Sequence, residues 1–490
     1  MRVINHIFLA AAAAALALVS CTKETTDNTE NTQGQKSGVR TITVAFSKPD
    51  TRTSPTNVTG GIQPVWATGD QLTISNGQTK EKIIVPTEAV GKTTFTFTTE
   101  LQGTINVYYP GGDSYNTYWD ASGNVKISST QSGEFAEANL CKGTVAEDGT
   151  NLTLTNQTAL FQVTPPSGVK QFTITSLNSV KGGVARTGTA QPINTDGADA
   201  AAKLVITVGD NSAELGICYV ALASGVNLSD LSFEYTTDAT HGAMKGIPMK
   251  DIAEGNDAVT PGSVYTITAN NWHEYIKVGS QKWATMNVGA SSPTDYGKYF
   301  AWGDVTGQNA TTNGAGAFAT GFSWNNYPFV SYYYRDENAN QGDGKETFTF
   351  TKYYNGTSGN KFTVYENCEQ DDKTTLDLED DAAFCNWGGA WRMPTEAEFD
   401  TLISGTSTSK SDFSNEVLTI KGTSLIFPAA GYGNDAELLS AGSIGYYWSS
   451  SLTTDFPYNA NFLNFSSSIL FTTRNHRYYG RSVRPVSVSN

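Results

Sequence analysis

The chain has 490 residues, enough for two to four domains, and 47 acidic and 32 basic side chains give it a formal net charge of −15. Phosphate binding needs a basic patch, and none is visible, so nucleic acid is excluded as a partner. Aromatic residues reach 11% and glycines number 47, a composition typical of a secreted β-rich protein.

The first 20 residues, MRVINHIFLAAAAAALALVS, predict a secretion signal. Arg2 gives a positive start, and the apolar run Phe8–Val19 is too short to span a bilayer. The run ends in Leu-Val-Ser-Cys, which resembles a bacterial lipobox. We therefore predict a lipoprotein signal peptide over residues 1–21, with Cys21 carrying the lipid (palmitate) that attaches the chain to a membrane. The alternative is an ordinary signal peptide with a chance cysteine.

Residues 22–38 are polar and repetitive and lack apolar anchors, which predicts a flexible tether. The acidic tract TKETTDNTENTQ after Cys21 resembles the surface-export signals of Bacteroidota lipoproteins. That resemblance implies lipid anchoring in the outer membrane with exposure at the cell surface.

Residues 39–269 alternate between strand patterns and turn clusters. In RTITVAFSKPD, for example, Ile42, Val44 and Phe46 fall on one face, the two-residue period of a half-buried strand. Strands of this length with Gly, Asn and Asp turns predict tandem antiparallel β-sandwiches, over residues 39–155 and 156–269. Cys218, in LGICYVAL, is predicted to be a buried core thiol.

The stretch TRTSPTNVTGGIQPVWATGDQLTIS contains a T-R pair followed by W-x-x-G-D-x-L, and PGSVYTITAN forms a closing strand. These motifs resemble the fimbrillin-like (type V pilin-like) family, which implies a pilus component or a surface adhesin with other pilus subunits as partners. The resemblance also implies proteolytic processing at a basic residue, with Arg40 and Arg52 as candidates. Trp66 is predicted to fill the core, and Gly69-Asp70 to form a turn.

Pilins of that family polymerise by donating their own C-terminal strand. Here residues 270–490 follow the closing strand instead, which favours a tip subunit, an accessory subunit or a non-pilus adhesin.

The C-terminal region carries six motifs in order: KWATMNVGA, YFAWGD, WRMPT, PAAGY, GYYWSS and SVRPV. Together they resemble the Fibrobacter succinogenes major paralogous domain over residues 270–490. Within it, Leu378–Trp387 predicts a short helix that Gly388-Gly389 ends. Thr395 and Glu398 form a predicted capping box for a second helix. Glu396 and Glu398 lie two residues apart and therefore do not form an acid–base pair.

The run around DAAFCNWGGAWRMPTEAEF also resembles the formylglycine-generating enzyme superfamily, whose scaffold is C-type-lectin-like. The resemblance implies an α+β C-type-lectin-like domain. Those enzymes need a late pair of cysteines to bind copper, and no cysteine follows Cys385. We therefore predict that the scaffold is kept and the oxidase chemistry is absent. Whether Cys368 and Cys385 pair is left open.

The C-terminal run FTTRNHRYYGRSVRPV offers basic side chains instead, namely Arg474, His476, Arg477, Arg481 and Arg484. Arg392 and Arg484 are predicted to be structural, pairing with Asp380-Asp381 or with backbone carbonyls. The histidines lack the spacing of metal ligands, and no cofactor is predicted. The acidic runs DLEDDAA and NCEQDDKT do not fit a calcium loop, so a solvated acidic face is favoured over a structural Ca²⁺ site.

Aromatic residues gather in the insert 307–361 and just before it, and exposed Tyr and Trp suit sugar faces and protein contacts. The predicted ligand-binding residues are Trp302, Tyr332, Tyr333 and Tyr334; the alternative is a satellite core under a long loop.

Two functions remain open. The favoured one is a non-catalytic surface adhesin, or a pilus tip or accessory subunit, whose C-terminal region binds a glycan or a protein. The alternative is a divergent enzyme of the formylglycine-generating type. The missing late cysteines favour the first.

Overall fold

The structure is a computed structural model that describes residues 38–47, 50–51, 64–179, 191–192, 203–222, 225–336, 346–359, 362–404 and 413–488. The chain divides into two compact units, Met1–Val39 and Arg40–Asn490, and every element below belongs to the second. The predicted signal peptide with Cys21 lies outside the described residues, as do Arg52 and the predicted tether apart from Gly38.

The first part of the second unit, up to residue 156, consists of short strands with two single-turn helices. The elements are β1 (Arg40–Phe46), β2 (Asp50–Thr51), β3 (Gln71–Ser75), β4 (Lys80–Ile84), β5 (Thr94–Thr99), β6 (Ile105–Tyr109), α1 (Tyr115–Tyr118), β7 (Lys126–Ile127), β8 (Thr130–Gln131), α2 (Phe135–Ala138), β9 (Cys141–Val145) and β10 (Asn151–Asn156).

Seven of these strands form one sheet in the order β4-β3-β6-β9-β10-β1-β5. The alternation read from the sequence is present, because Ile42, Val44 and Phe46 are buried while their neighbours in β1 are not. Six strands of this sheet contribute buried side chains to one apolar cluster, namely β3, β6, β9, β10, β1 and β5. Trp66 belongs to the same cluster, is 1% exposed, and has its ring centroid 4.2 Å from that of Phe46. The predicted core role of Trp66 is confirmed. The pair β1–β10 is parallel, unlike the antiparallel pairs around it.

The next part, up to residue 267, is a two-layer sandwich. Its strands are β11 (Ala159–Val163), β12 (Phe172–Ser179), β13 (Gln191–Pro192), β14 (Lys203–Val208), β15 (Cys218–Leu222), β16 (Leu231–Thr236), β17 (His241–Gly246) and β18 (Ser263–Ile267). A four-stranded sheet, β15-β11-β18-β2, faces β14, β12, β16 and β17 across one apolar cluster. Cys218 is buried there, as predicted.

The remaining residues form a mixed region that we call the head, residues 270–488. Its elements are β19 (His273–Val278), β20 (Gln281–Ala284), β21 (Val330–Arg335), β22 (Glu346–Phe350), β23 (Thr363–Tyr365), α3 (Ala382–Trp387), α4 (Glu396–Ser404), β24 (Phe413–Ser414), β25 (Val417–Thr419), β26 (Ile426–Pro428), β27 (Tyr432–Asn434), β28 (Glu437–Leu439), β29 (Gly445–Leu452), β30 (Asn459–Phe465), β31 (Leu470–His476) and β32 (Val486–Val488).

The sandwich and the head share one sheet. Its eight strands run in the order β32-β20-β19-β17-β16-β12-β14-β8, and β17 of the sandwich pairs antiparallel with β19 of the head. The sheet therefore crosses the predicted boundary at residues 269 and 270. Lys282 on β20 also pairs with Glu234 on β16 at 2.8 Å, and both side chains are largely buried.

Two glycines allow the backbones of sandwich and head to touch. A Cβ on Gly246 would lie 2.1 Å from the carbonyl carbon of Gly388, and a Cβ on Gly388 would lie 2.1 Å from the oxygen of Ile247. The next two residues after Gly388 donate hydrogen bonds from the head to the sandwich. The Gly389 amide donates to the Ser229 carbonyl oxygen at 2.9 Å, and the Ala390 amide donates to the Ser232 hydroxyl at 2.7 Å. We call the β17–β19 pair, the Lys282–Glu234 pair and this glycine contact the seam.

The predicted fold class, mainly β with sandwich architecture followed by a region that also contains helices, is confirmed. The segments RTITVAFSKPD, LGICYVAL and PGSVYTITAN each contain an observed strand. The C-type-lectin-like assignment of the head stays a prediction. Among the helices of the described residues, none has the length and apolar character needed to cross a membrane.

Candidate functional site

The tyrosine run Tyr332–Tyr334 lies on a hairpin of the head, formed by β21 and β22. Its inner face is anchored: Phe348 and Phe350 are fully buried, and Trp324 packs 4.9 Å from Phe348. Tyr333 points to this side and its hydroxyl donates to Glu346 at 2.9 Å. Burial and the Glu346 carboxylate raise the pKa of Tyr333, so it stays a neutral hydrogen-bond donor.

The outer face of the hairpin presents two tyrosine rings to solvent. Tyr332 is 51% and Tyr334 50% exposed, and the two-residue period of a strand places them side by side. They lie opposite Thr349 and Thr347 on β22, and β21 forms one edge of its three-stranded sheet. We call Tyr332, Tyr334, Thr347 and Thr349 the tyrosine face. Rigid amphipathic rings on an anchored strand suit contact with a sugar ring or a protein.

Trp302, which was predicted with these tyrosines, does not lie on the tyrosine face. It is fully buried, its indole N–H donates to the Ser449 oxygen at 2.9 Å, and its ring lies against Tyr353 and Arg477. A completely buried ring offers no surface to a ligand. The motif YFAWGD therefore places Trp302 in the core, and Tyr333 belongs to the anchoring side of the hairpin.

The four cysteines that the structure describes show no sign of an activated thiol. Cys141, Cys218, Cys368 and Cys385 are all free. Burial, with a contribution from Asp381, raises the pKa of Cys385 to about 12, and burial raises that of Cys368. Thiols with raised pKa values are poor nucleophiles and poor metal ligands at neutral pH, because the thiolate is the reactive form.

The acidic residues near 380 converge on a lysine. The Lys352 ammonium bonds to Glu379 at 2.7 Å and to Asp380, and Asp377 lies 3.4 Å away. Asp377 is also paired with Lys373, which helps to hold its pKa below the usual range despite partial burial. Three carboxylates that could hold a metal ion thus already have a cation among them.

Asp381 caps α3, which is shorter than the predicted Leu378–Trp387 helix. Its carboxylate accepts from the amides of Ala383 and Phe384, and its other oxygen accepts from Met393 at 2.8 Å. Gly388, with φ of +68°, ends the helix as predicted.

The capping box of α4 is confirmed. The Glu398 amide donates to the Thr395 hydroxyl at 3.2 Å, and the Thr395 amide donates to the Glu398 carboxylate at 2.8 Å. Arg392 binds the same carboxylate with two nitrogens, at 2.7 and 2.5 Å, and this pairing lowers the pKa of Glu398. Glu396 instead accepts from Asn461, so the two glutamates serve separate structural contacts.

Three arginines of the C-terminal run, Arg477, Arg481 and Arg484, are fully or almost fully buried. Arg484 donates to the carbonyls of Ala284 and Ile426, which confirms the backbone alternative predicted for it. Arg481 lies 3.4 Å from the Phe462 ring, and Arg477 lies 4.2 Å from the Phe350 ring. Within the described part of the chain, no carboxylate lies within 4.0 Å of these three guanidinium groups. The sequence predicted a structural role for Arg484, but it did not predict the burial of Arg477 and Arg481, because arginines in a polar run normally indicate surface.

Arg40, a predicted processing residue, opens β1 and is held in place. Its guanidinium donates to the carbonyls of Gly103 and Ala146, both at 2.6 Å. Since β1 lies between β5 and β10, cleavage after Arg40 would leave the strand in the sheet. Processing at Arg40 or Arg52 stays a prediction.

The chain was compared with known proteins. A family model described as a domain of unknown function (DUF8237) matches residues 414–486. No curated protein matches the chain.

Several solved structures show a distant likeness. A fimbrial protein from Bacteroides ovatus is 12% identical with a TM-score of 0.24, covering 92% of this chain and 99% of that chain. A proposed cell adhesion protein from Bacteroides uniformis is 11% identical with a TM-score of 0.28, covering 48% and 94%. The tip fimbrial protein Mfa3 from Porphyromonas gingivalis, with C-terminal truncation, is 9% identical with a TM-score of 0.24, covering 48% and 98%.

Proposed function

We propose that this protein is a non-catalytic cell-surface adhesin that binds a glycan through the tyrosine face of its head. The observation that carries the proposal is the pair Tyr332 and Tyr334, two half-exposed rings on a hairpin whose other side is fixed in the core. Exposed aromatic rings have an entropic advantage in recognition when the strand beneath them is already ordered.

The burial of the thiols supports the non-catalytic part of the proposal. The formylglycine-generating alternative needs reactive cysteines late in the chain, whereas Cys368 and Cys385 both have raised pKa values and no cysteine follows Cys385. Glu396 and Glu398 are each engaged in other contacts.

The location belongs to the same proposal. Lipidation at Cys21 would attach the chain to the outer membrane, and residues 22–38 would act as the tether that lets the folded part reach away from it. Assembly with other pilus subunits, as a tip or accessory subunit, is the second arrangement that the fimbrillin-like motifs favour.

The test is a glycan-array and mucin-binding screen of the full chain, with and without Ca²⁺. Tyr332→Ala and Tyr334→Ala should each weaken saturable binding by about tenfold, because each removes one stacking ring. Phe471→Ala is the matched control, since Phe471 is an aromatic residue that is 42% exposed on β31, outside the tyrosine face. It should leave binding unchanged.

Tyr332→Phe separates ring from hydroxyl. Retained binding would assign recognition to stacking, and lost binding would assign it to a hydrogen bond. If no glycan binds while circular dichroism shows an intact fold, glycan adhesion is wrong. The tyrosine face would then be tested as a contact with a pilus subunit.

A further inference from the structure

A cavity of about 330 Å³ lies at the seam, away from the tyrosine face. Its walls come from the ends of β17 and β18 and the turn after β17 in the sandwich, and from the start of β19, the loop after β20 and α3 in the head. This volume falls at the lower end of the range for small-molecule sites. The charged or titratable side chains that line it are Lys245, Lys250, Asp251, His273 and Lys298.

Lys245 lies at the inner side of the cavity and is only 9% exposed. Its ammonium donates to the Thr268 oxygen at 2.8 Å, the Thr268 hydroxyl at 3.2 Å and the Asn270 oxygen at 2.5 Å. All three acceptors are neutral, so the hydrogen-bonding capacity of the ammonium group is used while its positive charge has no anionic partner among these contacts. Burial lowers the pKa of Lys245 to about 8, which expresses the same cost.

The other two lysines, Lys250 and Lys298, each have unused hydrogen-bond donors. Lys250 donates to the Asn386 side chain at 3.0 Å, and Lys298 donates to the Thr306 oxygen at 3.0 Å. An ammonium has three N–H groups, so each of these lysines has more donors than its one hydrogen bond uses.

The charge of the cavity is opposite to that of the protein. Three lysines and one aspartate line it in a chain with a net charge of −15. Among the described residues, no carboxylate lies within 4.0 Å of any of the three ammonium groups. His273 adds no charge at neutral pH, because burial and the neighbouring Lys245 lower its pKa to about 3. The three ammonium groups outnumber the one carboxylate, and a bound anion would offset their mutual repulsion.

We propose that this cavity binds a small organic oxyanion, a molecule of monosaccharide size that carries one carboxylate or one phosphate. The unused N–H groups of Lys250 and Lys298 would donate to the anionic oxygens. Lys245, whose N–H groups are already used, would attract the anion electrostatically without a direct hydrogen bond. The ligand would contact sandwich and head together, so its binding stabilises the seam.

The experiment is isothermal titration calorimetry of the full chain at low ionic strength with three probes of similar size: D-glucuronate, D-glucose 6-phosphate and D-glucose. Glucuronate and glucose 6-phosphate distinguish a carboxylate from a phosphate ligand, and glucose is the uncharged control. Saturable binding of at least one anion without binding of glucose is expected, and it should weaken as salt is added.

Substitutions locate the binding. Lys250→Gln and Lys298→Gln should each weaken binding about tenfold, because each removes a charged hydrogen bond. Asp251→Asn should tighten it, since the variant removes the one carboxylate among the cavity's charged groups. Lys126→Gln is the matched control: Lys126 donates to a backbone carbonyl as Lys298 does, but it is not among the residues that line the cavity. These side chains are not core residues, and circular dichroism checks the fold of each variant.

Three results would overturn the proposal. The first is no saturable binding of either anion up to about 10 mM. The second is binding of glucose as strong as that of the anions. The third is equal weakening by Lys126→Gln and by the cavity variants, which would indicate a general charge effect.

Discussion

The glycine contact at the seam makes a sharp prediction for Gly388→Ala. The new methyl group would lie 2.1 Å from the Ile247 oxygen and 2.4 Å from its carbonyl carbon, closer than the 3.0 Å below which real Cβ atoms are essentially never found. Both atoms belong to backbone, so no side chain can rotate away. The substitution must push α3 away from the end of β17.

The expected loss of stability has three sources. Gly388 has φ of +68°, and a non-glycine residue there costs about 1 kcal/mol. Overlap in a packed contact costs about 1 to 3 kcal/mol. The hydrogen bonds from Gly389 to Ser229 and from Ala390 to Ser232 would stretch, at about 1 kcal/mol each. We expect a total of about 4 to 6 kcal/mol.

Urea unfolding with hydrogen exchange at the Gly389 and Ala390 amides measures this loss, and exchange separates opening of the seam from global unfolding. The control is Gly255→Ala. Gly255 has φ of +77° and nothing within 4 Å of its Cβ position, so it carries the conformational cost alone, about 1 kcal/mol. Equal losses for the two variants would refute the claim that backbone contact holds the seam.

Two further predictions concern the same seam. Lys282→Met should destabilise the protein by about 3 to 5 kcal/mol in urea, because it removes the only cation paired with the buried Glu234 carboxylate among the described residues and leaves it the Tyr275 hydroxyl. Lys82→Met, which breaks the exposed pair with Asp113, should cost less than about 1 kcal/mol, and similar losses for the two variants would contradict the burial argument. His273→Phe should reduce acid sensitivity. The pKa of His273 is lowered to about 3, so the unfolded state takes up the proton first as pH falls below 6.5, and wild type should lose about 2 kcal/mol more than the variant between pH 7 and 5. The difference isolates the histidine, since Asp381, whose pKa burial raises to about 6, titrates in both proteins; a difference near zero would show that His273 is accessible to solvent.

What could be predicted from the sequence was set by near neighbours in the chain. The capping box of Thr395 and Glu398 needs residues three apart, and the turn at Gly69-Asp70 closes on itself, with the Ala67 amide donating to Asp70 at 2.8 Å. The strand pattern of β1 works for the same reason, because a two-residue period decides which face is buried.

What could not be predicted depends on pairing across long separations. Nothing in HEYIKV states that it will pair with β17 of the preceding sandwich. Gly388 looked like a helix end, and it is one, but its second role needs Ile247 more than a hundred positions away. Trp302 and Tyr332 both lie in aromatic-rich stretches of the sequence, yet Trp302 is fully buried and Tyr332 is 51% exposed. Composition identifies aromatic residues without saying which face of the head they occupy.

Among the described residues, the buried cations without a carboxylate partner fall into two kinds, and the difference supports the cavity proposal. Arg477, Arg481 and Arg484 each lie within 4.5 Å of an aromatic ring face, whose negative quadrupole partly compensates the charge. Lys245 is also buried, but its described contacts are three neutral oxygens, and it lines an open cavity with two further lysines. The charges of the three arginines are therefore partly compensated by aromatic rings of the fold itself, as is typical of structural residues. On the cavity proposal, the charge of Lys245 is compensated when an anion binds in the cavity at the seam.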